Sequence, residues 1–445
     1  MKKCIFSLSV LFLYSLGTYN CLAQAQTSAP APQRFTIRTD LKAVGTTNER
    51  INAVDSLLQS YVRDKKVGSV VGFVAKGGNI VYKKAFGFKD VEKQIAADTE
   101  DYFVLFSQTK AITSVAFMTL VEKGLVAVND PVAKYFPEIS DKVATAVNAD
   151  GTFATRPVKT PMTFAHLLSH SSGLGAGVIG KARRIEMQKA DSLRKASGSN
   201  MQTPGASGQR TGNSGGTRSL KDEMIALAKY PLGFDPGSEW NYHVSTNMLA
   251  YMIERISGQS FRDYVKESVL LPLGMDDTDW YYEPDKLSRF VKVYNSVNGK
   301  LEPASNAVSE RTISTDRSYA EGALGLNGPI EDYAKFCQML LNKGSFNGRQ
   351  ILKPETIAQM TEINQLPDVN AGGKGFKFGL GFQLYNEQRK PTPEVSNSAY
   401  AWGGIYGTEY IVDPENDLIA LFYINMPKHE VLVPRFLEKV YQLFK

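Results

Sequence analysis

The sequence predicts an α/β (α+β) fold: an antiparallel sheet flanked by helices, built from both chain ends, with an inserted, mostly helical lobe. Three observations predict it. Near the N-terminus two apolar, β-branched runs, 70–76 and 80–87, flank the turn Gly77-Gly78-Asn79 and read as a hairpin. Near the C-terminus the runs 406–412 and 418–425 flank a polar turn, and a helical pattern, 434–444, follows them. Between these ends the apolar spacing is helical.

Taken in order, the chain opens with Lys2 and Lys3, an apolar run over 4–17 and the small-x-small site Ala23-Gln24-Ala25. That is the pattern of a secretory signal peptide over residues 1–25, and it predicts an exported protein, periplasmic or secreted. Lipid anchoring through Cys21 is disfavoured, because Thr18-Tyr19-Asn20 offers no small residue beside the cysteine. Nothing later supplies about 18 consecutive apolar residues, so no membrane span is expected. Residues 26–47, rich at first in Pro, Ala, Thr and Gln, read as a flexible linker, and 48–445 as the folded domain. An amphipathic helix is predicted over 48–62. After the first hairpin, 111–123 is helical and apolar on most faces, stopped by Gly124, and is expected to be buried. Further helices are predicted over 162–172, 220–229, 245–256, 260–270 and 329–342. The Gly/Ser-rich stretch 197–217 cannot bury a core and reads as a mobile loop.

Composition excludes several functions. Of three cysteines, Cys4 and Cys21 fall in the signal segment, which leaves Cys337 without an intrachain partner, on the apolar face of a helix, as an inert buried thiol. The formal charge of +6 becomes +4 without Lys2 and Lys3 and is spread along the chain, so nucleic acid is not an expected partner. Gly175-Ala176-Gly177-Val178-Ile179-Gly180 follows a helix rather than a strand, and no nucleotide cofactor is expected. His166 and His170 stand four apart, but residue 167 is Leu and no third ligand lies nearby, so no metal is expected either.

The chemistry sits in Phe106-Ser107-Gln108-Thr109-Lys110. Residues three apart share a helix face, so the Lys110 amine can reach the Ser107 oxygen and make a poor nucleophile a usable one. The same spacing recurs at Ser192 and Lys195, in a polar stretch where nothing would depress a lysine pKa. Gly212-Asn213-Ser214-Gly215-Gly216 matches a nucleophile elbow but lies inside the low-complexity loop, without the strand and helix an elbow requires.

Five further motifs follow in order: His166-Leu167-Leu168-Ser169-His170-Ser171-Ser172-Gly173-Leu174, Tyr242-His243-Val244-Ser245, Pro272-Leu273-Gly274-Met275, Gly379-Leu380-Gly381-Phe382 and Trp402-Gly403-Gly404. With Ser107 and Lys110, these make the chain resemble the β-lactamase-related serine hydrolases: class C β-lactamases, D-alanyl-D-alanine carboxypeptidases and S-x-x-K esterases. The resemblance covers the chain from about Glu49 onward. It implies that Ser107 forms an acyl-enzyme, that Lys110 and Tyr242 share the proton traffic, and that the backbone amides of Ser107 and Ile405 form the oxyanion hole. Lys110 could lower the Tyr242 pKa, and which of the two takes the first proton is open. Gly403 and Gly404 are expected to let a substrate approach the strand.

Two departures bear on the substrate. Val244 stands where penicillin-recognising relatives have Asn, and Trp402 where they have Lys or His. Without that amide and cation the pattern looks like the esterase branch, with Trp402, Gly403, Gly404 and Val244 lining the substrate site. The expected substrate is a small-molecule ester. A cell-wall-type peptide substrate for a D,D-carboxypeptidase, a weak β-lactamase, acyl transfer to an alcohol, and a penicillin-binding-like protein without turnover are the alternatives.

Overall fold

The computed structural model describes residues 34–37, 40–177, 182, 185, 219–242, 244–304, 310–366, 372–427 and 431–445. The signal segment, the 197–217 loop, Ser192 with Lys195, Ser214 and His243 lie outside them.

A nine-stranded sheet organises the chain. Its strands are β1 (Thr36–Ile37), β2 (Ser69–Lys76), β3 (Asn79–Asp90), β4 (Ile95–Ala96), β5 (Lys377–Phe378), β6 (Gln383–Leu384), β7 (Tyr400–Gly403), β8 (Thr408–Asp413) and β9 (Leu418–Ile424). Their order is β1-β3-β2-β9-β8-β7-β6-β5, with β4 against β3, and every pairing is antiparallel except that of β1 with β3. Both chain ends meet at the centre, where β9 pairs with β2 from Leu418↔Lys76 to Ile424↔Val70. The fold is therefore the expected sheet of two chain ends. Part of the stretch expected to be linker, Thr36–Ile37, pairs with Asn79 and Ile80, because the open edge of β3 offers unpaired backbone groups.

One face of the sheet is covered by α1 (Asn48–Arg63) and the C-terminal α7 (Leu432–Gln442). In α1 the buried residues Ile51, Val54, Leu58 and Tyr61 recur at the helical period, and the Thr47 side chain caps its first turn by accepting from the Arg50 amide. The other face carries α6 (Ile330–Leu341) and the helical lobe, in which α2 (Thr109–Glu122), α3 (Phe164–Leu168), α4 (Leu220–Ala228) and α5 (Ser245–Ser257) pack. Every residue of α2 from Thr109 to Leu120 is buried, as an apolar helix without a polar face requires. Cys337 is buried in α6, and burial pushes its thiol pKa up, which leaves it inert. No helix among the described residues is long and apolar enough to cross a membrane.

Two expected helices differ. The helix expected over 162–172 is only Phe164–Leu168, because the chain turns left-handed at His170 (φ 59°) and carries that ring into the interior. The helix expected over 260–270 runs as α-helix for Phe261–Val265 and then widens into a π-turn over Lys266–Leu270.

Candidate active site

Ser107 is presented by a strained turn. Phe106, immediately before it, is left-handed (φ 44°), and a 3₁₀ turn, Phe106–Gln108, then feeds α2. Such a backbone costs about 1–3 kcal/mol and persists only where its surroundings enforce it. Here they do: the Phe106 ring meets Tyr406 edge-on at 4.7 Å, the Gln108 side chain accepts from the Tyr423 hydroxyl (2.6 Å), and its carbonyl accepts from the Tyr333 hydroxyl (2.9 Å). The turn is thus held from β9, from α6 and from the loop after β7.

Lys110 lies in the first turn of α2, one turn after Ser107, and is 2% exposed. Its Nζ donates to Ser107 Oγ (3.2 Å) and to the Ala323 carbonyl (2.9 Å), and lies 4.6 Å from the centre of the Tyr242 ring. Burial pushes its pKa down to about 7, against the opposing pull of the Glu321 carboxylate. A substantial fraction of the amine is therefore unprotonated at neutral pH, the state a general base needs.

The Tyr242 hydroxyl accepts from Trp402 Nε1 (2.9 Å) and is hydrogen-bonded with Ser107. Burial pushes its pKa up to about 12, in spite of the hydrogen bonds from Ser107 and Trp402, and the Glu409 carboxylate adds to the rise. The expectation that Lys110 lowers the Tyr242 pKa is corrected: burial of the phenol outweighs any pull from the amine, which is itself partly discharged and lies over the ring face. The pair thus combines an amine that titrates near neutral pH with a phenol that is protonated at rest.

Aromatic rings surround this pair. Tyr242 packs against His170 (4.8 Å), Trp402 (5.1 Å) and Trp240 (5.7 Å, stacked), and Phe376 and Phe378 extend the wall at 4.9 Å from Trp240 and 5.3 Å from Trp402. Val244 is the residue before α5 and packs against the core of the helical lobe. His170 is thus a wall residue, while His166 faces the other end of α3, where it completes a capping box with Thr163. No group of three or more His, Cys, Asp or Glu side chains able to hold a metal occurs among the described residues.

The end of β7 docks on the turn that carries Ser107. The Gly404 amide donates to the Thr408 carbonyl (2.6 Å), Thr408 Oγ1 donates to the Leu105 carbonyl (3.3 Å), and Tyr406 holds Phe106. Ile405, 62% exposed, sits between the two residues that touch Leu105 and Phe106. The glycines also have a reason within the protein itself. A Cβ on Gly403 would overlap the Glu409 carboxylate, and one on Gly404 would overlap Thr408 Oγ1 and the Leu105 carbonyl, so their missing side chains admit protein groups. Sequence reasoning also missed the partners of Lys110. Glu321, Ala323 and Asn247 belong to none of the motifs, and only the small-residue run Gly322-Ala323-Leu324-Gly325 hints at a close approach there.

A sheet of two chain ends, a helical lobe, and a serine–lysine pair one helical turn apart at the head of a buried helix define a class: the penicillin-recognising fold and its hydrolytic relatives. The chain belongs to the Beta-lactamase family, whose profile matches residues 54–436. Esterase EstB of Burkholderia gladioli is 27% identical over 84% of this chain and 89% of its own length. A protein of Escherichia coli (strain K12) provisionally named a D-alanyl-D-alanine carboxypeptidase is 24% identical over 87% of this chain and 85% of that protein. Among solved structures, EstCE1, a hydrolase with promiscuous acyltransferase activity, superimposes with a TM-score of 0.69 at 21% identity, covering 89% of this chain and 98% of that one.

Proposed function

We propose that this protein is an exported serine hydrolase that cleaves carboxylic esters through an acyl-enzyme on Ser107. The observation that carries the reading is the Ser107–Lys110–Tyr242 cluster, closed by Trp402 instead of a cation. The unprotonated Lys110 amine takes the Ser107 proton as the Oγ–carbon bond forms, and the amides of Ser107 and Ile405 receive the negative oxygen. The Tyr242 phenol passes a proton to the departing alcohol as its bond to carbon breaks. Water then attacks the acyl carbon, gives its proton to the same pair, and the Ser107 oxygen leaves reprotonated. Export rests on the N-terminal pattern of Lys2, Lys3 and Ala23-Gln24-Ala25.

The aromatic wall supports an ester over a lactam or a peptide terminus. A carboxylate-bearing substrate would leave its charge without a partner from residue 402 or an amide from residue 244. Each missing charge-assisted hydrogen bond costs about 1.5–3 kcal/mol, so two lower kcat/KM by about 10²-fold or more. The relative named for D-alanyl-D-alanine carboxypeptidase activity keeps that substrate as the second reading. The test is a substrate panel on one preparation. Short-chain p-nitrophenyl esters are expected to turn over readily, with little or no turnover of nitrocefin or D-Ala-D-Ala peptides. A kcat/KM for a cephalosporin or a D-Ala-D-Ala peptide above that of every ester would reject the ester assignment.

A further inference from the structure

The segment 319–326 passes between α2 and α5 behind the nucleophile, and the helices take up four of its backbone groups. Thr113 Oγ1 donates to the Gly322 carbonyl (2.7 Å), Lys110 Nζ donates to the Ala323 carbonyl (2.9 Å), the Ala323 amide donates to Asn247 Oδ1 (2.9 Å), and the Leu326 amide donates to Thr109 Oγ1 (3.1 Å). The approach is close enough that a Cβ on Gly322 would overlap the Ala250 side chain and the Thr246 carbonyl. Asn247 also donates through Nδ2 to Glu321 Oε1 (3.5 Å), and the Glu321 carbonyl accepts from Trp280 Nε1 (2.9 Å). One amide side chain of α5 therefore ties together the peptide that anchors the Lys110 amine and the Glu321 carboxylate two residues before it.

We propose that Glu321, held by Asn247, is a positioning residue that acts on Ser107 through the Lys110 amine. The proposal rests on the reading of Ser107 as the nucleophile and Lys110 as its base. The titratable groups that face the amine are Ser107 from the 3₁₀ turn, Tyr242 from the loop before α5, and Glu321 from the segment itself; α5 presents the neutral Asn247. Glu409 of β8 and the His170 ring bear on Tyr242. Burial alone favours a neutral amine, and a neutral amine of too low a pKa is a weak base. The Glu321 charge opposes burial, so Lys110 stays basic enough to take the serine proton and neutral enough to be free for it.

The test is the pH profile of three proteins: wild type, Glu321→Gln and Glu321→Asp. It is read both as kcat and KM for p-nitrophenyl acetate and as the rate at which a fluorophosphonate labels Ser107. Removing the carboxylate lets the Lys110 pKa fall further, so in Glu321→Gln the acidic limb of both profiles is expected to move down by about 1 pH unit. The plateau kcat is expected to drop about threefold with KM unchanged, as a weaker base predicts. Glu321→Asp keeps the charge and is expected to hold the limb near its wild-type position. An unmoved limb in Glu321→Gln, or an equal shift in Glu321→Asp, overturns the proposal. If Glu321→Gln does not fold, Glu321→Ala carries the test: it too removes the charge, the limb is expected to move down, and an unmoved limb overturns the proposal. A wild-type protein that never labels at Ser107 overturns this proposal and the hydrolase reading together, whereas labelling with an unmoved limb overturns this one alone.

Discussion

In the proposed mechanism Ser107, Lys110 and Tyr242 divide one task among groups that are each unsuited to it alone. A serine hydroxyl is a poor nucleophile, an ordinary lysine is protonated at neutral pH, and a phenol holds its proton until strongly alkaline pH. Burial makes the lysine usable, with a pKa of about 7, and makes the tyrosine still less acidic, at about 12. Two predictions belong at this scale. Ser107→Ala is expected to abolish fluorophosphonate labelling and to lower kcat by at least about 10³-fold, whereas Ser192→Ala and Ser214→Ala stay near wild type. Labelling that survives in Ser107→Ala and disappears in Ser214→Ala would move the nucleophile elsewhere. Lys110→Ala and Tyr242→Phe are each expected to be severe, and their combination little worse than the worse single variant, because both serve one acyl-transfer step that fails without either. Effects that multiply in the double variant would show two independent roles.

At the scale of elements, the site depends on how the end of β7 meets the turn that begins α2. The Leu105 carbonyl, Thr408 Oγ1 and Gly404 crowd one point, and Phe106 with Tyr406 closes the contact beside it. Gly404→Ala would force this point apart by overlap with backbone, which cannot swing away as a flexible side chain can. The expected cost is about 1–3 kcal/mol of stability. The Ser107 and Ile405 amides would also separate, lowering the fluorophosphonate labelling rate by about 10-fold or more, since an oxyanion donor works only at hydrogen-bond distance. Melting temperature and labelling rate together check this. A Gly404→Ala protein that is destabilised yet labels at the wild-type rate would show that β7 does not set the oxyanion geometry.

Across the whole molecule, a buried lysine of low pKa weakens the fold that makes it useful. Between pH 7 and 10.5 the unfolded chain holds a proton on Lys110 that the native protein does not, so this group makes stability rise with pH through that window. Below pH 7 the burial cost is fully present. The drop from 10.5 to about 7 corresponds to about 5 kcal/mol, of which the lost hydrogen bonds to Ser107 and Ala323 would give some back in a variant without the amine. Lys110→Met is therefore expected to be inactive yet to melt a few degrees above the wild type at pH 6, with the difference narrowing toward pH 10. Calorimetry at the two pH values checks it. A variant that melts below the wild type at pH 6 would mean that the amine's hydrogen bonds outweigh its desolvation.

What the sequence determines by itself is whatever short range writes into it. Alternating and helical periods specify the two terminal hairpins, α1 and α2, because burying one face requires one period. The spacing of Ser107 and Lys110 places them on one helix face with no need of a tertiary neighbour. Helix ends are less legible: the helix expected to reach Ser172 stops at Leu168 because His170 turns aside to pack against Tyr242, a residue 72 positions later in the chain. Three matters are decided only by the tertiary structure. The charge states of Lys110 and Tyr242 depend on how much water the two lobes exclude. The need for glycine at Gly403 and Gly404 comes from Glu409, Thr408 and Leu105, which the turn between β7 and β8 and the docking of α2 bring against them. Ala323 reaches Lys110, and Asn247 and Glu321 support it, from segments more than 130 residues away in sequence, and no local pattern records a contact that only the folded core creates.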